Sequence, residues 1–368
     1  MVTRHPDYNP SIAVHPGKTL RDELDFAQLS QVELSQRTGL STKTISQIIH
    51  GEEPITNETA IKFERVLGAP ADFWNAKQAS YEFTLAQLEE KKRLEKEVTE
   101  AKKYNCYSEL VRMSAVRDVV SWVEKADELL NFFRVDSLSF VPTLQGVALR
   151  KSSGDFDKYA LFAWLQCGEH LVRSITLSEY SEKKLRESIT EIKKLIRVKG
   201  DFFTPLQKLC AESGVAVVYT PYFSKTKVNG AVRWVGSNPL IQLNSRGVYR
   251  DIFWFTFFHE IGHILLHGKK DKFIEFNGQH ESEKEKDADQ FAQEQLIPSA
   301  AYKKLLEKKT LTPTEADQFA QSFGVDLGVL VGRFAHDNLM SWKAVSAYRK
   351  KIELPDPLLN LVSQTRGS

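Results

Sequence analysis

Along the first eighty residues, apolar positions recur at helical intervals between polar runs, and glycines punctuate them. His15-Pro-Gly-Lys-Thr-Leu-Arg-Asp-Glu-Leu24 predicts a first helix, after a polar arm of residues 1–14 with two prolines. Ser30 is an N-cap for a second helix over residues 31–38, and Glu33 completes a capping box. Gly39 ends that helix in a tight turn. Ser41 caps a third, residues 42–50, which Gly51 terminates. Leu34, Leu40, Ile45, Ile48 and Ile49 are spaced to lock these helices together. Pro54-Ile-Thr56 leads into a fourth, carrying Ala60, Ile61, Phe63, Val66 and Leu67. Ala71-Asp-Phe-Trp74 starts a fifth.

Beyond it the pattern changes. Residues 81–105 alternate charge, with only Leu88, Leu94 and Val98 as an apolar stripe, and predict a solvated connecting helix. Residues 106–200 read as helical, most clearly over 116–133 and 178–196, and the aromatic stripe of 156–170 reads as core. A helix over 203–213 ends at Gly214. Residues 215–219 form a short apolar run bounded by Gly and Pro, hence a strand. Two more strands, 228–235 and 240–243, are joined through Gly236-Ser-Asn-Pro239. Residues 253–266 are apolar nearly all round, as a buried helix requires. Ala288, Phe291, Ala292 and Leu296 give the next helix a partly buried stripe. Residues 300–352 are helical. Within them 316–323 and 327–334 form a second pair around Gly324, without a basic face. The fold class is mainly α with a small β-sheet.

Chemistry enters in the buried helix, which contains His259-Glu260-x-x-His263. Residues four apart on a helix share a face, so both imidazoles can reach one metal ion. Glu260 leans toward the open side of that ion and is placed to take a proton from water there. This is the H-E-x-x-H arrangement of zinc peptidases. Gly262 gives up helix propensity, which is useful where another segment approaches closely. A third ligand is needed, and the acidic run downstream offers Glu281, Glu283, Glu285 and Asp287. Glu285 is favoured because Asp289, four residues on, can orient a ligand histidine. His267 lies about 12 Å along the axis from His259, too far to share its metal comfortably. His280 and Tyr249 are weak candidates for an oxyanion donor.

Leu240-Ile-Gln-Leu-Asn244, Phe255-Thr-Phe-Phe-His-Glu-Ile-Gly-His263, Glu285-x-x-Ala288-Asp289-x-Phe291-Ala292 and Leu296-Ile-Pro298 together resemble the ImmA/IrrE metallopeptidase family over residues 200–335. The resemblance implies an α+β, zincin-like (gluzincin) domain and an endopeptidase acting on repressor proteins. It also implies that His259 and His263 are ligands to zinc or another divalent metal, that Glu260 is the base, and that Glu285 is the third ligand.

Composition narrows the setting. The chain has 368 residues, 42% of them apolar, and a formal net charge of +2. Two or three domains are expected. Cys106, Cys167 and Cys210 are scattered and odd in number, which argues for a reducing compartment and against a disulfide framework. The first ten residues lack an apolar targeting core, and no stretch has the length of a membrane span. A cytoplasmic protein without membrane contact is expected.

The second and third helices describe a helix-turn-helix. Thr42, Lys43, Thr44 and Gln47 would face the major groove of double-stranded DNA, with Ser41 at their head. Gln31, at a helix N-terminus, is placed for a phosphate. Residues 1–75 hold seven Lys and Arg against ten Asp and Glu, so a basic footprint must be local, around Arg37, Lys43 and His50. His15-Pro-Gly, Leu20-x-x-Glu-Leu24, Ser30-Gln, Thr44-Ile-Ser-Gln-Ile-Ile-His-Gly51, Pro54-Ile-Thr56 and Phe73-Trp74 resemble HigA-type antitoxins of the XRE helix-turn-helix class. That resemblance implies a homodimer that binds its own operator and neutralises a toxin. The chain then divides into a helix-turn-helix domain (1–80), a helical middle region (81–200), a peptidase-like domain (201–335) and a tail (336–368). Two functions compete. One is a regulator that cleaves a repressor or partner protein. The other is a regulator whose peptidase-like domain only holds a toxin or senses a ligand.

Overall fold

The computed structural model describes residues 12–145, 156–244, 249–267, 273–276, 283–308, 312–352 and 354. The chain separates into two compact units, Met1–Val98 and Thr99–Ser368.

The first unit is built from α1 (Pro16–Phe26), α2 (Gln31–Thr38), α3 (Thr42–His50), α4 (Asn57–Leu67) and the start of α5 (Ala71–Ala101). Local chemistry sets each boundary. The Ser30 hydroxyl accepts from the Glu33 amide at 3.2 Å, and Glu33 accepts from the Ser30 amide at 2.8 Å. Gly39 and Gly51 close α2 and α3 with φ of 71° and 78°, where a side chain would be strained. Leu20, Leu34, Ile45, Ile48, Phe63 and Trp74 form the core. Gly17 explains the His-Pro-Gly start of α1: a Cβ there would strike the Ile48 carbonyl of α3. The fifth helix and the charged connecting helix are one element, because no Gly or Pro interrupts residues 71–101.

The second unit continues with α6 (Tyr107–Arg112), α7 (Trp122–Phe133), α8 (Val141–Gln145), α9 (Lys158–Val172), α10 (Glu182–Lys194) and α11 (Phe203–Glu212). Residues 116–121, expected to be helical, lie outside α7. A capping box of Ser121 and Glu124 fixes the helix start at Trp122. Then come β1 (Ala216–Thr220), β2 (Val228–Val235), β3 (Asn238–Asn244), α12 (Arg250–Leu266), β4 (Phe273–Phe276) and α13 (Glu283–Leu296). The chain ends through α14 (Ser299–Leu306), α15 (Pro313–Ser322), α16 (Leu327–His336) and α17 (Trp342–Val345).

The strands form one four-stranded sheet in the order β1-β3-β2-β4, with β1 parallel to β3 and the other pairs antiparallel. Successive side chains alternate between its faces. Val217, Val232, Ile241 and Leu243 pack on α12. Ala216, Val218 and Leu240 pack on Leu171 of α9. Both faces are covered, which is why β1 reads as an unbroken apolar run. Between α9 and the sheet lies a buried polar cluster. Arg233 is 5% exposed and donates to Gln242 Oε1 at 3.0 Å, while Gln242 donates to the Trp164 carbonyl at 2.6 Å. Gly168 is the residue on α9 that leaves Gln242 room.

Part of the expected tail is core. Val345 and Ile352 are buried, and Arg349 pairs with Asp251 in the first turn of α12 at 2.8 Å. No helix among the described residues is long and apolar enough to cross a membrane.

Candidate functional site

On α12, His259 and His263 are 0% and 1% exposed, and their Nε2 atoms are 2.9 Å apart. Glu285, in the first turn of α13, closes a triangle. Its Oε2 lies 3.1 Å from His259 Nε2 and 3.4 Å from His263 Nε2. Behind it, His259 Nδ1 donates to Asp289 Oδ1 at 2.8 Å. A neutral imidazole has one N–H, so a donating Nδ1 leaves Nε2 as a bare lone pair. Three basic atoms then face one another, which requires a proton or a cation among them. Ligands bonded tetrahedrally at ~2.0–2.1 Å would sit roughly 3.3 Å apart, close to what the triangle shows. The residues fit a divalent metal ion.

Protonation favours the same use. Burial alone would raise the Glu285 carboxyl, but hydrogen bonding to the His259 and His263 rings, when a proton sits on the facing nitrogen, outweighs it and brings the carboxyl down to about 2. Burial, more than its neighbours' charges, lowers His263 below the usual imidazole value and keeps the ring neutral. Metal ligands must be deprotonated in this way.

Helix geometry separates the described members of the acidic run. Residues 285, 288, 289, 292 and 296 fall on one stripe of α13, and Ala288, Asp289, Ala292 and Leu296 are buried. Glu285 is half-buried on that stripe, whereas Glu283 and Asp287 are exposed. Glu281 and His280 lie outside the described residues. Tyr249 is at the N-terminus of α12, about 15 Å along the axis from His259. Its ring lies 4.1 Å from the Arg349 guanidinium, so it takes no part in this site. His267 caps the other end of the helix, with Nε2 3.0 Å from the Lys284 carbonyl.

Glycines let the elements meet. A Cβ on Gly262 would lie 3.1 Å from Ala288 Cα and 3.3 Å from Phe291 Cβ, so α13 crosses α12 where the side chain is missing. Gly262→Leu is expected to lower the unfolding free energy of metal-free protein by ~1–3 kcal/mol through overpacking. Urea unfolding with a chelator present measures it; an unchanged midpoint would show that the crossing does not depend on glycine. Gly230 on β2 does the same for Glu260, which is fully buried: a Cβ there would lie 2.5 Å from Glu260 Oε1. The strand glycine carries no chemical motif, and only the sheet register reveals its role.

In the first unit, Gln31, Ser41, Thr42 and Lys43 are exposed, and Thr44 and Gln47 are half-buried. The Ser41 hydroxyl accepts from the Thr44 amide at 3.0 Å and lies 2.8 Å from the Thr44 hydroxyl. Those two groups are engaged in capping α3. Gln31 stands at the first turn of α2, beside its cap.

Residues 21–74 match the helix-turn-helix family profile, and residues 210–334 match that of the IrrE N-terminal-like domain, a peptidase M78 family. Virulence-associated protein I of Dichelobacter nodosus is 32% identical over 80 residues, 22% of this chain and 74% of that protein. The chain belongs to the helix-turn-helix family through its N-terminal part. Its C-terminal part is an IrrE-like M78 peptidase domain. Among solved structures, a HigA-family antidote protein of Coxiella burnetii is 29% identical, covering 23% of this chain and 92% of that one, with a TM-score of 0.22. The Pseudomonas aeruginosa antitoxin HigA, solved with the higBA promoter, gives 29%, 23%, 92% and 0.22 for the same measures.

Proposed function

We propose that this chain is a cytoplasmic, homodimeric, antitoxin-like regulator that binds a double-stranded operator. In this reading it also carries a zinc or other divalent-metal endopeptidase centre that cuts a repressor or partner toxin. The observation that carries the reading is the convergence of His259, His263 and Glu285, with Asp289 behind His259. His259, His263 and Glu285 hold the ion. When bound, it supplies Lewis acidity to water and to the scissile carbonyl. Glu260 takes the proton of the attacking water and returns it to the leaving amine. The test is fragment formation from co-expressed repressor and toxin candidates. Intact candidates beside metal-loaded protein, under every inducing condition tried, would count against cleavage.

A second reading draws on burial. His259 and Glu260 are 0% exposed and His263 is 1% exposed, and a peptide must reach that carboxylate to be cut. A domain that holds a partner without cutting it needs no such access.

On DNA, α3 enters the major groove, with Lys43, Gln47, Thr42 and Thr44 along it and Gln31 at a phosphate. Gln47→Ala should cost ~1–3 kcal/mol at the base it reads. Lys43→Ala should weaken all sequences alike and reduce the salt slope by about one. Fluorescence anisotropy on DNA upstream of the protein's own gene measures both. Unchanged affinity in both variants would exclude α3 as the reading helix.

A further inference from the structure

A cavity of about 260 Å³ opens in the second unit at the C-terminal ends of α7 and α9. Phe133, Val135 and Val141 form its apolar wall. Arg134, Gln166, Glu169 and Arg173 supply its polar groups. The balance of charge is positive. Glu169 is already matched by the buried Arg233, whose Nη1 lies 3.5 Å from Glu169 Oε1. The guanidiniums of Arg134 and Arg173 have neither an acidic partner nor a side-chain hydrogen bond among the described residues.

Two further features point the same way. Arg134 closes α7 in the left-handed region, at φ 56° and ψ 49°, a position glycine occupies without strain. Both guanidiniums also act on His170, whose imidazole is lowered first by burial and then by their charge. Their fields therefore overlap at this end of α9. The bland account is that cations at helix C-termini complement the helix dipole. That account needs no cavity between them.

We infer that this cavity binds a small anion, a molecule with a phosphate or carboxylate group held by Arg134 and Arg173. Its volume is below the ~300–1,000 Å³ of sites for drug-sized ligands, so the ligand is compact. Planar guanidiniums suit both oxyanions, because each can donate two parallel hydrogen bonds. Phe133, Val135 and Val141 favour a ligand with some apolar body.

The experiment is calorimetric titration of the full chain with inorganic phosphate and, separately, with succinate at low salt. Saturable binding of either probe is expected, and the probe that binds more tightly names the oxyanion. Arg134→Gln and Arg173→Gln should each weaken it about tenfold or more. Glu169→Gln should tighten it, since a carboxylate is removed from the wall. Lys303→Gln, the same charge change at an exposed position outside the cavity, should leave the affinity unchanged. Should a glutamine variant fail to fold, Arg173→Lys keeps the charge, and its loss of the planar fork should still weaken binding. Absence of saturation by both probes at millimolar concentration would overturn the inference. So would equal affinities in Arg134→Gln, Arg173→Gln and Lys303→Gln.

Discussion

The chain carrying His263→Ala is expected to lose the divalent metal that the parent chain should retain at about one ion per chain. The parent offers two imidazoles and a carboxylate whose ligand atoms lie within 3.4 Å of one another. Removing one of the three leaves a bidentate remnant. Loss of an outer partner alone costs ~10–100-fold in affinity in comparable sites, so loss of a ligand should exceed about a hundredfold. Asp289→Asn tests that outer level directly. It leaves the three ligands in place but weakens the acceptor that fixes the His259 tautomer, and the expected loss is ~10–100-fold. His267→Ala should change nothing, because that ring is occupied with the Lys284 carbonyl. Elemental analysis after gel filtration gives stoichiometry, and competition with a chromophoric chelator gives affinity. Metal should also raise the melting temperature, since an ion at a hundred times its dissociation constant stabilises by ~2.7 kcal/mol. Equal metal content in parent and His263→Ala would remove the metal centre from the reading.

What the amino-acid pattern could reveal follows the range of the interaction. The boundaries of α2 and α3 depend on contacts three or four residues long, and Ser30, Glu33, Gly39, Ser41 and Gly51 mark them in the chain itself. The buried helix α12 is legible because a core segment has no polar face. The preference for Glu285 rests on Asp289 four residues on; that both lie on the stripe of Ala288, Ala292 and Leu296, while Glu283 and Asp287 are exposed, is visible only in the folded chain. The strand β4 was not legible. It has four residues, too few for alternation to register, and its place depends on pairing with β2 some forty residues away. Arg233 and Gln242 were invisible for a related reason. A charged residue in a strand reads as surface, and only the crossing of α9 at Gly168 turns it into a buried partner. The continuity of α5 was obscured by composition: the change from a packed to a charged stretch marks a change of surroundings, while the backbone meets no residue that would stop a helix.

Glu260→Gln is expected to leave metal content and operator binding at parental levels while slowing peptide hydrolysis by ~10²–10⁴-fold. Glu260 sits on α12 between the two histidines, and the triangle of ligand atoms is closed by Glu285 instead. Its role in the proposed reaction is to hold a proton, which an amide cannot do. The substitution is close to isosteric, an advantage at a position with no spare volume. The carboxylate is fully buried, and the space it occupies exists because β2 has glycine at 230. Glu285→Gln is the contrasting variant. It removes a ligand charge, so metal content and hydrolysis should fall together. Metal content, operator affinity and cleavage in cells must be measured side by side, since each variant moves a different subset. Metal retained with cleavage lost, in Glu260→Gln alone, identifies the carboxylate as the base. Cleavage and induction at parental levels in Glu260→Gln would leave the buried carboxylate without a chemical role. The same result would transfer the function to the reading in which the IrrE-like domain holds its partner intact.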